Sequence, residues 1–220
     1  MMKPEYERAA IAAAETLIKY NVRTAPVAPL PILKSMPGVF VISYADLSQE
    51  TGQSRQCVIS MFGDKAQDAF TSVNIVNGKP QYLVTYNALL SVNLFQRALA
   101  RELGHIVLGH DGSLPEDVRY EEAKCFANHL LCPRAMIRSL QETHMRLTKE
   151  ALGNLTGCYD HCLSCMRRLP AVHVPAELNR KVKEQFMPYV MNFFSFQQFA
   201  SLSDGSALAD FGTYMEGYVE

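Results

Sequence analysis

Residues 101–110 read Arg-Glu-Leu-Gly-His-Ile-Val-Leu-Gly-His and complete a segment with clear helical periodicity. From Leu89 onward, side chains recur at intervals of three or four residues: Leu90, Leu94, Ala98, Arg101, His105. Asp111-Gly112-Ser113 follows, a composition typical of the end of a helix. We therefore predict one helix from about Leu89 to Gly109, and its last turns carry the most informative residues of the chain.

Part of this stretch matches a metal-binding pattern. In H-E-x-x-H, two histidines at i and i+4 share one helical face and hold the same Zn²⁺, while the Glu activates a metal-bound water. Glu102 and His105 keep the second and last positions, but Arg101 stands at the first. A guanidinium stays protonated and cannot coordinate a cation. The pattern predicts a zinc-type helix that has lost one ligand.

A second block lies downstream, Glu122-Ala123-Lys124-Cys125-Phe126-Ala127-x-x-Leu130-Leu131-Cys132-Pro133, on a helix predicted from about Pro115 or Glu116 to Leu131. Together the two blocks resemble the ImmA/IrrE family of zincin-like metallopeptidases. In that family the first block usually reads H-E-L-G-H-x-x-L-G-H and the second E-x-x-A-[N/D]-x-F-A-x-x-L-L-x-P. The resemblance covers about residues 5–195, and it is specific because two separate blocks match in order.

The resemblance implies a role for individual residues. Glu102 matches the general base and His105 matches the second His ligand. Arg101 replaces the first ligand, Tyr120 stands where the family has its Glu ligand, and Lys124 replaces the Asn or Asp that follows the motif Ala. Catalytic zinc needs three protein ligands and an open position for water. Zinc could still bind, but we expect it to be absent or weakly held.

Two acidic residues next to the altered position keep a second interpretation open. Glu121 or Glu122 could present a carboxylate in place of Tyr120, although a shift of one residue turns the side chain by about 100° on a helix. Alternatively, Arg101 could act as a metal surrogate that pairs with Glu121 or Glu122 across the two helices. The plain alternative is that Arg101 is a tolerated surface residue.

Further polar residues are candidate metal ligands, but each also has an ordinary structural explanation. His110 could contribute to a rebuilt metal site, or form a hydrogen bond near the helix C-terminus, where a cationic His is favoured. Cys125 and His129 lie one turn apart and could form a different zinc site with His105. A core Cys beside a partly exposed His is the reading that we prefer for this pair.

Three short segments look functional but have a simpler explanation. Cys158, Cys162 and Cys165 would lie on one face of one helix, an arrangement that suits a buried apolar stripe better than a tetrahedral zinc site. The basic clusters at 167–168 and 180–183 fit solvated helix faces. No interleaving of aromatic and basic residues indicates direct nucleic-acid binding.

The rest of the chain predicts an α+β fold. A helix from Pro4 to about Tyr20 precedes a proline-rich irregular connection at 24–37. Strands are predicted at 39–44, 57–62, 70–76 and 81–86, with Asn77-Gly78 forming a hairpin turn between the last two. Shorter helices are predicted at 134–142, 148–153, 158–168 and 176–194.

By this interpretation, a small and mainly antiparallel sheet packs on a zincin-like pair of motif helices. The predicted divisions are a metallopeptidase-type core at 1–133, a C-terminal helical part at 134–195 and a tail at 196–220. No apolar run reaches the roughly 18 residues of a membrane span. The near-balance of 21 Lys and Arg against 22 Asp and Glu predicts neither a membrane nor a nucleic-acid surface. Composition and cysteine spacing favour a reduced, cytoplasmic protein.

The resemblance implies a regulator that acts on a repressor of a mobile element or stress regulon. With two ligand positions altered, we expect this chain to bind a protein partner, such as a transcriptional repressor, without cleaving it. The first alternative is an active zinc endopeptidase that cleaves the repressor. The second is a helical adaptor whose C-terminal helices bind the partner.

Overall fold

A computed structural model describes residues 2–62, 68–142, 153, 156 and 172–204. The described helices are α1 (Tyr6–Lys19), α2 (Pro29–Ser35), α3 (Tyr44–Thr51), α4 (Arg55–Met61), α5 (Val92–Val107), α6 (Glu116–Leu131), α7 (Arg134–Glu142) and α8 (Ala176–Asp204). The described strands are β1 (Val39–Ser43), β2 (Ala69–Val76) and β3 (Lys79–Tyr86). The fold is therefore α+β, as the sequence predicts.

The sheet has three strands in the order β1-β3-β2. β2 pairs with β3 in antiparallel register, and β1 pairs with β3 in parallel register, so the sheet is mixed. The predicted hairpin is confirmed, because Asn77 and Gly78 both adopt positive φ, 52° and 74°, as a tight two-residue turn requires. β1 reaches its parallel position through α3 and α4, which occupy the crossover between β1 and the hairpin.

The strand predicted at 57–62 is wrong, because this segment is the helix α4. The β-branched residues Val58 and Ile59 favoured a strand, but Ser54 caps the helix by accepting a hydrogen bond from the Cys57 backbone N–H at 3.2 Å. α3 was not predicted at all. Its N-terminus is capped by Ser43, whose Oγ accepts from the Asp46 N–H at 3.0 Å. Local capping therefore outweighed β propensity in this region.

The proline-rich connection contains one short helix that the sequence analysis did not predict. α2 begins at Pro29. A proline is tolerated in the first turn of a helix, because the N–H that it lacks would form no intrahelical hydrogen bond there. Ile32 and Leu33 are its buried apolar residues. The prediction of an irregular connection is thus wrong for 29–35.

The described chain divides into two compact units. Unit 1 consists of residues 1–5 and 28–127, and unit 2 of residues 6–27 together with the chain from 128 onward. Unit 1 contains the sheet and α5. In unit 2, α8 contacts α1 and α7, and the Gln185 side chain donates to the backbone carbonyl of Leu17 at 2.8 Å. The functional divisions at 1–133, 134–195 and 196–220 stay a prediction.

The C-terminal helical part is present in the described residues as α7 and α8. α8 extends ten residues beyond the predicted end at 194, to Asp204. The helix predicted at 158–168 lies outside the described residues, as does nearly all of the one at 148–153. Among the helices that the structure describes, none combines the length and the apolar character needed to cross a bilayer.

Candidate functional site

The carboxylate of Glu102 is directed toward the sheet. Its Oε2 accepts a hydrogen bond from Thr71 Oγ1 of β2 at 2.7 Å, and the residue is buried. Burial raises the pKa of the Glu102 carboxyl, while the Thr71 hydrogen bond and the charge of Arg101 oppose that rise. The carboxyl is thus poised to hold a proton more readily than an exposed glutamate.

His105 begins a chain of hydrogen bonds that runs into the interior of unit 1. Its Nδ1 lies 2.9 Å from Nδ1 of His110, and Nε2 of His110 lies 2.9 Å from Oε2 of Glu122. The second oxygen of Glu122 accepts from the backbone N–H of Glu5 at 2.8 Å. The side chains of His110 and Glu122 are only 1% and 3% exposed. Three side chains and one backbone amide therefore form one connected polar network.

The acceptor character of Glu122 assigns protons along this network. A carboxylate oxygen accepts, so His110 carries a proton on Nε2. When both imidazoles are neutral, Nδ1 of His110 must accept from Nδ1–H of His105. Nε2 of His105 then holds a free lone pair, because no partner for it occurs in the part of the chain that the structure describes.

The surroundings of His105 disfavour positive charge. Burial, followed by His110, Arg119 and Arg101, lowers the pKa of His105 from 6.5 to about 4. The imidazole is therefore neutral at physiological pH. The same two arginines would oppose the arrival of a metal cation at this position.

Arg101 lies beside a carboxylate, but not the one that the sequence analysis proposed. One guanidinium nitrogen is 3.6 Å from Oδ2 of Asp68, and the Arg101 side chain is 23% exposed. The bridge to Glu121 or Glu122 is wrong, because both acids are otherwise engaged. Glu122 pairs with His110, and Glu121 accepts from Lys124 Nζ at 3.0 Å.

Of the two other altered positions, Tyr120 lies beside Arg101, and Lys124 lies beside Tyr120. The guanidinium carbon of Arg101 is 5.9 Å from the centre of the Tyr120 ring, and Lys124 Nζ is 5.8 Å from the same ring. These distances fall at the outer limit of cation–π attraction. The Nε of Arg101 is buried and has no hydrogen-bond partner. Arg101, Tyr120 and Lys124 thus form a cationic and aromatic cluster, which we call the Arg101 cluster.

The zinc ion that the family resemblance implies does not fit these residues. His105 offers one nitrogen, whereas Arg101 and Lys124 offer positive charge. Glu122 is bound to His110 and to the Glu5 amide. Within the described ranges, no group of three or more His, Cys, Asp or Glu side chains is placed to hold a metal. The donor set falls short of the three protein ligands that catalytic zinc requires.

Cys125 and His129, the pair considered for a different zinc site, are both buried. Cys125 is buried in unit 1, as the core reading predicts, whereas His129 belongs to unit 2. His129 is only 7% exposed, so the prediction of partial exposure is wrong. Arg180 and Lys181 are exposed and pair with Glu177 on their own helix, as a solvated face should. The cysteines at 158, 162 and 165 and the arginines at 167–168 lie outside the described residues.

Sequence reasoning missed three contributors to the site: Glu5, Asp68 and Thr71. Thr71 carried no distinct signal, since Ser72 and Asn74 of the same strand are polar too. Asp68 immediately precedes the same strand. Glu5 carried no signal at all, because its backbone N–H, not its side chain, contacts Glu122 across 117 positions of sequence.

Comparison with known proteins adds one finding. The family model described as the IrrE N-terminal-like domain, Peptidase_M78, matches residues 41–157, which is more than half of the chain. The matched region begins in β1 and includes both motif helices, α5 and α6. It agrees with the family resemblance of the two sequence blocks. No curated protein and no solved structure matches the chain.

Proposed function

The chain belongs to the M78 peptidase family with the IrrE N-terminal-like domain, and we propose that it is a degenerate member that binds a protein partner without cleaving it. The observation that carries the proposal is the position of Arg101. A guanidinium stands where the family has a metal ligand, and it lies against Asp68 and the Tyr120 ring. By the same resemblance, the partner is a transcriptional repressor of a mobile element or stress regulon, in the cytoplasm.

Electrostatics supports a site that no longer uses a metal cation. Arg101 and Arg119 act on His105 with enough charge to lower its pKa, and Lys124 lies against Tyr120. Together they supply the positive charge that a metal ion would otherwise bring to this region. A negatively charged side chain of a partner protein is therefore a better ligand for the Arg101 cluster than Zn²⁺ is.

Exposed apolar side chains in the same unit suit a protein partner. Val73 and Ile75 lie two residues apart on β2, hence on one face of the strand, and both are exposed. Leu89, which precedes α5, and Val92, the first residue of α5, are also exposed. Exposed apolar side chains on one face of a strand are compatible with a protein contact site.

Metal reconstitution tests the degenerate site directly. Restoring the family residues in an Arg101→His/Tyr120→Glu double variant should produce near-stoichiometric zinc after purification with zinc, measured by elemental analysis. Wild type treated identically should contain only a small fraction of one equivalent. The matched control adds His105→Ala to the double variant, which should lose the metal again. Stoichiometric zinc in wild type that disappears in His105→Ala would overturn the proposal.

Recovery of the partner separates binding from cleavage. The full chain is captured from its host cells with whatever protein it holds, and the captured protein is identified and its mass measured. An intact DNA-binding repressor recovered with wild type and with Glu102→Gln supports the proposal. A repressor shortened by wild type but intact with Glu102→Gln would favour the zinc endopeptidase instead. Retention of the partner by residues 172–204 alone would favour the helical adaptor.

A further inference from the structure

Two arginines lie near His105, one on each motif helix. Arg101 precedes His105 by one turn of α5. On α6, Arg119 precedes by one turn Glu122, which contacts His110, so Arg119 lies on the side of α6 that faces the end of the motif helix. Burial is the main reason that the pKa of His105 is low, and the charges of Arg119 and Arg101 both add to the effect. Both guanidinium groups are therefore close to this imidazole.

The two arginines carry hydrogen-bond donors that the protein does not satisfy. The Nε atoms of Arg101 and Arg119 are buried, and neither has a partner. Two acids are near them: Asp68, 3.6 Å from a terminal nitrogen of Arg101, and the exposed Asp111 near Arg119. No acid among the residues that the structure describes forms an ion pair with Arg119. Buried donors without a partner are costly, and in folded proteins protein, water or ligand atoms usually satisfy them.

His105 adds a hydrogen-bond acceptor to these donors. Its Nδ1–H donates to His110, so its Nε2 keeps a lone pair while the imidazole is neutral. His105, Arg101 and Arg119 are each partly exposed, so the cluster can be reached from water. A ligand that satisfies all three side chains carries negative charge for the guanidinium groups and a hydroxyl for Nε2.

Inorganic phosphate combines these two properties. At neutral pH it is an anion that still carries at least one hydroxyl group, and its oxygens match the planar fork of a guanidinium. Sulfate has the same shape but no hydroxyl. Acetate has a single charge and no hydroxyl. The pattern of donors and acceptor around His105 therefore favours phosphate over either of these anions.

We propose that Arg101, Arg119 and His105 form a binding site for inorganic phosphate. The guanidinium groups donate to the phosphate oxygens, and the phosphate hydroxyl donates to Nε2 of His105. An anion thus occupies the region where the family resemblance implies a cation. The inference rests on the proposed loss of the metal site, but not on a protein partner. Phosphate at Arg101 would compete with an acidic side chain of a partner, so free phosphate would weaken partner binding.

Calorimetric titration of the full chain with phosphate at neutral pH tests the proposal, with sulfate and acetate as comparison ligands. Saturable binding of phosphate is expected. Sulfate should bind about tenfold more weakly, because it has no hydroxyl to donate and places an oxygen against the lone pair of His105. Acetate should be weaker than phosphate by at least the same factor. Elemental analysis of the same sample measures its zinc content.

Three variants separate the contributions to phosphate binding. Arg119→Ala should weaken phosphate and sulfate alike, by about tenfold, since it removes a charged donor common to both. The guanidinium has no ion pair, so its loss should not unfold the protein, and a melting curve checks this. His105→Leu should abolish the preference for phosphate over sulfate. The matched control, Arg180→Ala, removes an exposed arginine of α8 and should leave phosphate affinity within twofold.

Five outcomes overturn the phosphate site. The first is no saturable phosphate binding by metal-free protein up to ~10 mM, which leaves the proposed function in place. The second is equal phosphate affinity in wild type and Arg119→Ala. Sulfate or acetate binding as tightly as phosphate would show that the His105 lone pair selects no hydroxyl. Tighter binding of O-phosphoserine would assign the site to a phosphorylated side chain. Stoichiometric zinc in the wild-type sample would overturn the proposed function, and the phosphate site with it.

Discussion

Nε2 of His110 lies 2.9 Å from Oε2 of Glu122, and the two side chains are almost completely shielded from water. In the sequence these residues lie close to the positions that match metal ligands, and in the structure they contact each other. Their hydrogen bond joins the end of the motif helix to α6 in unit 1. The network that begins at His105 therefore has a structural role, whatever its chemistry.

Glu122→Gln should destabilise the fold by about 1–3 kcal/mol, the cost of leaving buried polar groups without a full set of partners. A glutamine can accept from His110 or from the Glu5 amide, but its NH₂ group cannot accept from the other. Urea unfolding at neutral pH measures the change. Glu121→Gln is the matched control, because Glu121 is partly exposed and forms a surface ion pair with Lys124, so its cost should stay within ~1 kcal/mol. Equal losses in the two variants would contradict the structural role of Glu122.

Glu102→Gln should stabilise the protein at neutral pH. Burial raises the pKa of the Glu102 carboxyl in the folded state. The group therefore stabilises the fold at pH values below the pKa that it has in the unfolded chain. This stabilisation is lost as the pH rises through the pKa of the folded state. A neutral glutamine avoids the cost of a buried charge and can still accept from Thr71. We expect a gain on the order of 1 kcal/mol at pH 8. Melting temperatures of both proteins measure it.

The gain from Glu102→Gln should shrink at pH 5, because the wild-type carboxyl then holds more of its proton in the folded state. Thr71→Val is a useful companion variant. It removes the hydroxyl that stabilises the ionised carboxylate, so Glu102→Gln should stabilise the Thr71→Val background more than it stabilises wild type. A loss of stability in Glu102→Gln at every pH would refute the prediction.

His129 should make unit 2 sensitive to acid. Its pKa falls from 6.5 to about 4 on folding, chiefly through burial. In the unfolded chain His129 is therefore protonated near pH 6.5, whereas in the folded chain it is protonated only at about pH 4. The protein loses stability as the pH falls from 6.5 to about 4. Denaturant unfolding at pH 7.5 and 5 should show a smaller loss for His129→Gln than for wild type, by on the order of 1–2 kcal/mol.

His173→Gln is the control for that experiment. His173 is exposed, so its replacement removes an imidazole without altering a buried group. His105 has a similarly lowered pKa and should retain part of the acid sensitivity in the His129 variant. Parallel pH profiles for wild type and His129→Gln would show that the His129 imidazole takes up protons in the folded state after all.

Gly104→Ala should destabilise unit 1 although alanine is the better helix former. A Cβ at Gly104 would lie 2.9 Å from Cδ1 of Phe126 and 3.2 Å from the carbonyl oxygen of Ala123, both on α6. We expect a net loss of about 1–3 kcal/mol from overpacking, after the helix-propensity gain of roughly 1 kcal/mol. Urea unfolding checks this, with Gly112→Ala as the control because no atom lies within 4 Å of its added Cβ. A stabilised Gly104→Ala would show that α6 moves away without cost.

The elements with long, regular patterns could be predicted from the sequence. The hairpin turn at Asn77-Gly78 and the helices α5 and α6 followed from local periodicity and turn chemistry. α4 could not be predicted in this way, since β-branched residues and a serine cap gave opposite signals and the cap prevailed. For such short segments, β propensity alone does not decide between helix and strand.

The site was predictable as a set of residues but not as a set of contacts. Helical spacing placed Arg101, Glu102 and His105 together. Helical spacing could not show that Arg101 lies beside the carboxylate of Asp68. Asp68 precedes β2, far from the motif helix in sequence, and carries no periodic signal. Nor could spacing show that His110 reaches Glu122, which depends on how closely α5 and α6 approach at Gly104.

The amide of Glu5, which holds the second oxygen of Glu122, has a consequence for the order of folding and for protein engineering. The contact closes a loop of 117 residues, so it forms only after most of unit 1 has been synthesised and assembled. Glu5 thus completes an internal network from outside the two motif helices. A protein truncated to begin at Tyr6 would lack this amide and would leave Oε1 of Glu122 without that donor.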